Sequence, residues 1–382
     1  MGSIVALGVG HATNDLYVAF LPPLLPLFIS GLGLSHTQAG LLSLVRMLPS
    51  LLQPAIGSLA DRSSLRTLVI LAPLVTAVTT SLLGLTGSYG VLALLLVLGG
   101  LSTAAFHAIT PAMTANLSSS GTLSRGLSVW LFGGEIGFML GPLLVVTVIE
   151  RYGLRSTPWL IVFGLIGALM LALVLKEPRG SSVQVARALP WRAAWQQMKQ
   201  VLAPLLALAT LRSLALSALG SYLPTLLIES GSRYWIAGFS QTIYQAAASV
   251  GVLVGGSLSD RLGRRMVLLS SMLLTPALLF AFLKLGGGPQ LVTLLGIGLV
   301  VITFDPVAMA IIQESSTQNR ALANSLYLSL TFFIRAVATL AVGALSDWLS
   351  LPAAFAIGAA VFLLGTPLVF LLPNRPLGHS PA

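Results

Sequence analysis

The chain has 382 residues, of which 56% are apolar and only 8% are Asp, Glu, Lys or Arg, and its mean hydropathy is +0.95. Soluble domains carry about 25% charged residues, so this composition excludes a soluble enzyme, a soluble nucleic-acid binder and a disordered tail. Twenty basic against ten acidic side chains leave a net charge of +10, and the lack of Cys excludes disulfide frameworks, thiolate metal sites, thiol nucleophiles and prenyl or palmitoyl anchors.

A membrane-spanning helix needs about 20 largely apolar residues. Gly, Pro and charged residues divide the chain into twelve such stretches, which predicts an all-α membrane protein. In chain order they lie near Ile4–Ser30, Gln38–Leu59, Leu68–Leu85, Val91–Leu117, Leu127–Ile149, Trp159–Leu175, Val201–Ile228, Ile236–Leu258, Met266–Leu283, Leu291–Ile312, Leu322–Leu345 and Leu351–Leu372. The first is longer than a signal-peptide core and contains Asp15, so it is expected to stay attached.

With the N-terminus inside, thirteen Lys and Arg residues fall in inner loops and the tail, four in outer loops, and Arg46, Arg212 and Arg335 lie within spans. Thirteen against four is the positive-inside asymmetry. It places both termini on the cytoplasmic side of what is expected to be the inner membrane of a prokaryote. The positive charge then reports topology and calls for no nucleic-acid partner.

The chain repeats itself. Gly57-Ser-Leu-Ala-Asp61-Arg62 after span two recurs as Gly256-Ser-Leu-Ser-Asp260-Arg261 after span eight, an offset of 199 residues between the two aspartates. Applied to the buried polar groups, that offset sets Asp15 near Arg212, Arg46 on Gln245, His107 beside Asp305 and Glu135 beside Arg335. Two six-helix bundles, residues 1–176 and 200–382, are expected to be related by an axis along the membrane normal around a central cavity. Residues 177–199 form the polar linker. There Trp191, Trp195 and Met198 share one helical face, which predicts a short helix lying on the inner membrane surface.

Ionisable groups inside spans are expensive, at least ~2.5 to 3.5 kcal/mol at the bilayer centre, and normally face the bundle interior and mark a pathway. Here they are Asp15, Glu135 and Asp305 against Arg46, Arg212 and Arg335, three acids that three bases could neutralise by pairing. Several polar stripes accompany them. His11, Asn14 and Asp15 share one face of span one, and Arg46, Ser50 and Gln53 share one of span two. Thr103, His107, Thr110 and Thr114 do so in span four, and Gln241, Tyr244 and Gln245 in span eight. Converging stripes with ionisable members predict a hydrophilic chamber near midplane.

A carboxylate that alternates between an Arg-paired and an unpaired state loads and releases a proton, which makes Asp15, Glu135 and Asp305 candidates for coupling, with His107 as relay. The permanently charged Arg46, Arg212 and Arg335 suit an anionic substrate group, because a guanidinium binds phosphonate, phosphate or carboxylate through two bonds. His11, Asn14, Gln53, His107, Gln241, Tyr244 and Gln245 complete the candidate substrate lining. The four histidines lie in separate segments and no phosphate-cradling Gly loop or nucleophile triad occurs, so no metal, cofactor or catalytic residue is expected.

The stretches Gly57–Arg66 (GSLADRSSLR) and Gly256–Arg265 (GSLSDRLGRR) resemble the loop signature of the major facilitator superfamily, present in both halves. Gly137-Phe-Met-Leu-Gly141-Pro142 is similar to the G-x-x-x-G-P signature of its drug-proton antiporter branch, although Leu143 and Leu144 stand where glycines are expected. His11-Ala-Thr-Asn14-Asp15-Leu-Tyr17, Leu52-Gln53-Pro54 and Phe106-His107 resemble the fosmidomycin-resistance group, with Ala108 where that group often has Pro. The resemblance implies twelve helices in two pseudo-symmetric bundles and a gating latch at Gly57, Asp61, Arg62, Arg66, Gly256, Asp260, Arg261 and Arg265. Gly137, Gly141 and Pro142 serve either coupling or close helix packing. The expected function is a monomeric, bilayer-embedded carrier that exports a small amphipathic or anionic compound in exchange for protons by alternating access. Proton-coupled import of an organic anion, lipid flipping, and a non-transporting receptor or scaffold are the other uses of such a fold.

Overall fold

The computed structural model describes residues 2–60, 65–118, 123–175, 191–315 and 320–372. All twelve spans are present as helices. Span one is α1 (Gly2–Val18) with α2 (Leu21–Leu32), and span two is α3 (His36–Met47) with α4 (Gln53–Ala60). Spans three to six are α5 (Arg66–Ser81), α6 (Tyr89–Leu117), α7 (Leu123–Tyr152) and α8 (Ile161–Val174). Span seven is α9 (Trp191–Ser217) with α10 (Leu223–Glu229), followed by α11 (Tyr234–Leu262) and α12 (Arg264–Lys284). Span ten is α13 (Gly287–Val301) with α14 (Phe304–Ser315), and α15 (Arg320–Trp348) and α16 (Leu351–Leu364) are the last two. Among the described residues, eleven of these are long and apolar enough to cross a bilayer. The remaining one, α11, is a continuous helix of 29 residues that carries the polar Gln241–Gln245 stripe.

Prolines explain two of the breaks. Pro22 and Pro23 open α2 and have no N–H to return to the carbonyls of Val18 and Ala19, so the helix stops at Val18 and restarts. Pro49 lies in the short 3₁₀ segment Leu48–Leu52 that joins α3 to α4. At the equivalent place in span seven the chain widens into a π-helical turn, Ala218–Tyr222, before Pro224. Ser35 starts α3 with a capping box, its side chain accepting from the Gln38 N–H and its own N–H donating to Gln38.

Two compact units emerge from the packing. One comprises Met1–Val185 with Leu223–Thr242, the other Ala186–Tyr222 with Ile243–Ala382. Within the first, α1 packs most extensively on α7; within the second, α9 packs on α15, the counterpart pair in the repeat. The α1–α7 contact is close because Gly133, Gly137 and Gly141 form a row against the backbone of Gly8, Ala12 and Leu16, where any Cβ would collide with carbonyl oxygens. Leu7, Val69, Phe106, Trp130 and Leu171 form the adjacent apolar core. The residues expected to form a separate interfacial helix, Trp191 to Lys199, are the first turns of α9 and run directly into span seven.

Candidate functional site

In the first unit, α1, α6 and α7 bring His11, Asp15 and His107 together. Asp15 is 2% exposed; its Oδ2 lies 3.0 Å from His11 Nε2 and its Oδ1 3.5 Å from His107 Nε2. The two Nε2 atoms are themselves 3.0 Å apart. Each ring is fixed through its other nitrogen: His11 Nδ1 meets the carbonyl oxygen of Trp130 at 2.8 Å, and His107 Nδ1 meets that of Thr103 at 2.9 Å. A carbonyl only accepts, so both Nδ1 atoms carry the hydrogen and the neutral rings present bare Nε2 lone pairs to one another.

The surroundings hold this arrangement in place. His11 stacks on the indole of Trp130 with centroids 4.0 Å apart, and Trp130 Nε1 donates to Thr110 Oγ1. Asn14 donates to Asp15 Oδ1 and accepts from Thr76 Oγ1 on α5. Gly134 leaves the space that the His11 ring fills, since a Cβ there would lie 2.6 Å from His11 Cε1. Arg46, on α3, lies within the electrostatic reach of Asp15.

Arg46 donates through Nη1 to the carbonyl of Val18. That oxygen is the one Pro22 cannot serve, so the guanidinium fills a vacancy created by the proline.

In the second unit Arg212, 1% exposed, behaves in the same way. Its Nη2 donates to the carbonyl of Val301, at the break between α13 and α14, and its Nη1 lies 3.1 Å from Asp305 Oδ1. The guanidinium also covers the Phe304 ring at 3.7 Å, a cation–π contact. Arg212 thus ties α9 to both sides of the α13–α14 break. Arg335 is exposed, and the Tyr244 hydroxyl lies within electrostatic reach of Arg335, Arg212 and Asp305. Gln245 is half-buried in this unit, and Gln241 is buried in the first. Gln53 and Glu135 are half-buried in the first unit, on α4 and α7.

The paired loop motif divides by position. Asp61 and Arg62 lie outside the described residues. Arg66 donates to the carbonyls of Leu175 and Ala172 at 2.7 and 2.9 Å, and Arg265 donates to those of Leu372 and Phe370 at 2.7 and 3.0 Å. Each thus caps the end of the last span of its own half. Gly57 sits in α4 with ample room, Gly256 lies within α11, and Asp260 and Arg261 are exposed at the end of α11. Gly137 and Gly141 belong to the α1–α7 packing row, and Pro142 is buried in α7.

Trp130 and Gly134 were not legible as site residues. Their only sequence signal is that both lie just ahead of Glu135 in span five.

The profile of the Major Facilitator Superfamily matches residues 7–240 and 236–382. The chain belongs to the Major Facilitator Superfamily. It is a multi-pass membrane transporter and not an enzyme. The fosmidomycin resistance protein of Escherichia coli K12 is 25% identical over 98% of this chain and 93% of its own length. An uncharacterised MFS-type transporter of Bacillus subtilis, YfnC, is 26% identical over 97% and 92%. Among solved structures, a bacterial homologue of the human lysosomal transporter Spinster, inward-facing and occupied, superposes with a TM-score of 0.80 at 17% identity, covering 96% of this chain and 95% of that one. The nucleoside transporter NupG superposes with a TM-score of 0.73 at 15% identity, covering 97% and 98%. These superpositions support the major facilitator fold.

Proposed function

We propose that this transporter exports a small amphipathic or anionic compound in exchange for protons, with His11, Asp15 and His107 as the proton-binding centre. The observation that supports the reading is the pair of Nε2 atoms at 3.0 Å beside a buried carboxylate. Two bare lone pairs at that distance repel, so one proton must lie among the three groups for the arrangement to persist. Among the described residues, His11 on α1, His107 on α6 and Arg46 on α3 lie within electrostatic reach of Asp15, and Arg46 offsets the carboxylate when the proton leaves. His107, with 25% of its side chain exposed, is then the ring that moves away. Proton release is thereby tied to displacement between α1 and α6, the kind of differential contact that alternating access needs.

Arg335 is the anchor for an acidic substrate group, since Arg212 and Arg46 are committed to backbone carbonyls. The direction of transport follows the resistance named in the Escherichia coli relative, and fosmidomycin is the first compound to test. In proteoliposomes, Asp15→Asn mimics the protonated acid and is expected to exchange substrate by counterflow while failing to accumulate it against a pH gradient. Glu135→Gln is the companion variant with the same expected outcome. Full gradient-driven transport by Asp15→Asn would overturn the assignment.

A further inference from the structure

We propose that His11, Asp15 and His107 also form a binding site for a divalent transition-metal ion of the Zn²⁺ type. The inference stands on the geometry of the cluster and does not require the carrier to be coupled to protons.

Three candidate ligand atoms, His11 Nε2, His107 Nε2 and one carboxylate oxygen of Asp15, lie within 4.8 Å of one another. Their separations are 3.0 Å between the two nitrogens, 3.0 Å from His11 Nε2 to Oδ2 and 3.5 Å from His107 Nε2 to Oδ1. Ligand atoms at ~2.0–2.1 Å from a tetrahedral Zn²⁺ are separated by about 3.3 Å. The nitrogen–nitrogen edge and the two nitrogen–oxygen edges, each to a different oxygen of the Asp15 carboxylate, are therefore within a few tenths of an ångström of that spacing, and turning the carboxylate brings one oxygen between the two rings.

The chemistry of the corners agrees with the spacing. Metal-binding histidines commonly donate their second ring N–H to a carbonyl or carboxylate, which fixes the tautomer and aims the free lone pair at the ion. Both histidines do this, through Trp130 and Thr103. Asn14 orients the carboxylate by donating to Oδ1. Two imidazoles and one carboxylate suit Zn²⁺, Cu²⁺ or Ni²⁺ and are poor ligands for Mg²⁺ or Ca²⁺. The lone-pair opposition that calls for a proton is relieved equally by a metal ion, which would exclude that proton. His107, the most exposed member, marks the side of entry, and the fourth coordination position stays open to water or to a substrate anion. The sequence hid the set because His107 lies 96 residues from His11, far beyond any motif spacing.

The experiment is titration of the purified, tag-free protein in detergent with ZnCl₂, read by calorimetry and by competition with a chromophoric chelator, with Co²⁺ added in parallel for its tetrahedral absorption bands. The expected result is one ion per chain, the Co²⁺ bands displaced by Zn²⁺ and unaffected by Mg²⁺, and affinity reduced at least ~10-fold in both His11→Gln and His107→Gln. His36→Gln is the control, because His36 meets Glu229 at 2.7 Å in a different place, and its affinity should match that of the unaltered chain. Absence of stoichiometric binding, or unaltered affinity in either cluster variant, would overturn the proposal. The Co²⁺ spectrum is read on the unaltered protein, so a poorly folding variant does not blunt the test. Zn²⁺ binding without proton-driven transport would retain this site while removing the coupling assignment.

Discussion

Arg212 Nη1 lies 3.1 Å from Asp305 Oδ1, and in the repeat this pair takes the places held by Asp15 and His107. Both pairs tie the first span of a half to its fourth. The chemistry differs: a guanidinium keeps its proton throughout the accessible pH range, whereas the Asp15 carboxylate faces two imidazoles, which can take up or release one. Under the proposed reading, the pseudo-symmetric position switches in one half and holds in the other.

The Arg212 pair makes a stability prediction. Arg212→Ala removes the Asp305 bond, the Val301 bond and the Phe304 stack together, and leaving the buried Val301 carbonyl unpaired alone costs roughly 1 to 3 kcal/mol. Asp305 has 45% of its side chain exposed, so Asp305→Asn, which keeps an acceptor oxygen, should cost about 1 kcal/mol or less. Thermal unfolding in detergent should show the arginine variant much the weaker. Equal losses would mean that the ion pair, and not the carbonyl and ring contacts, carries the effect.

Arg66 and Arg265 should behave as helix caps. Each makes two charge-assisted bonds to carbonyls, so alanine should cost roughly 1 to 3 kcal/mol and lysine, with one bond recovered, about half of that. With no shared partner, the two effects should add. A transport defect in Arg66→Lys at unchanged thermal stability would instead favour the gating role that the loop motif implies.

Two glycines a single turn apart should fail differently. Alanine at Gly134 sets a methyl 2.6 Å from His11 Cε1, so Gly134→Ala should fold and lose gradient-driven transport as the ring is pushed aside. Gly137→Ala places a methyl against the backbone of Ala12 and Leu16, where overpacking costs ~1 to 3 kcal/mol. Melting temperature and counterflow on both variants separate the two outcomes.

Arg335→Lys should weaken binding of an acidic substrate about 10-fold, roughly 1.4 kcal/mol, because an ammonium loses the two-bond geometry. The check is equilibrium binding of fosmidomycin to protein that melts normally. Unchanged affinity would point to a substrate recognised through its apolar part.

The positive-inside bias predicts orientation. In a chain without Cys, Arg233→Cys should react with an impermeant maleimide in intact cells and Arg261→Cys only after permeabilisation. Labelling of position 261 in intact cells would reverse the topology.

The amino-acid sequence by itself determined the membrane class, the twelve spans and the internal repeat, because a bilayer demands long uninterrupted apolar helices and a 199-residue motif offset is visible in one dimension. It also singled out Asp15, His107, Arg212 and Arg335, since charge inside a span stands out against an apolar background. Only the tertiary structure decided what each of them touches. Arg46 and Arg212, read from the sequence as candidate substrate ligands, each donate to a carbonyl released at a helix break, a need that arises where the backbone stops being regular. His11, Asp15 and His107 came together only through the packing of α1 against α6 and α7, whose close approach at the Gly133–Gly137–Gly141 row depends on the absence of side chains that a linear pattern of small residues leaves undirected.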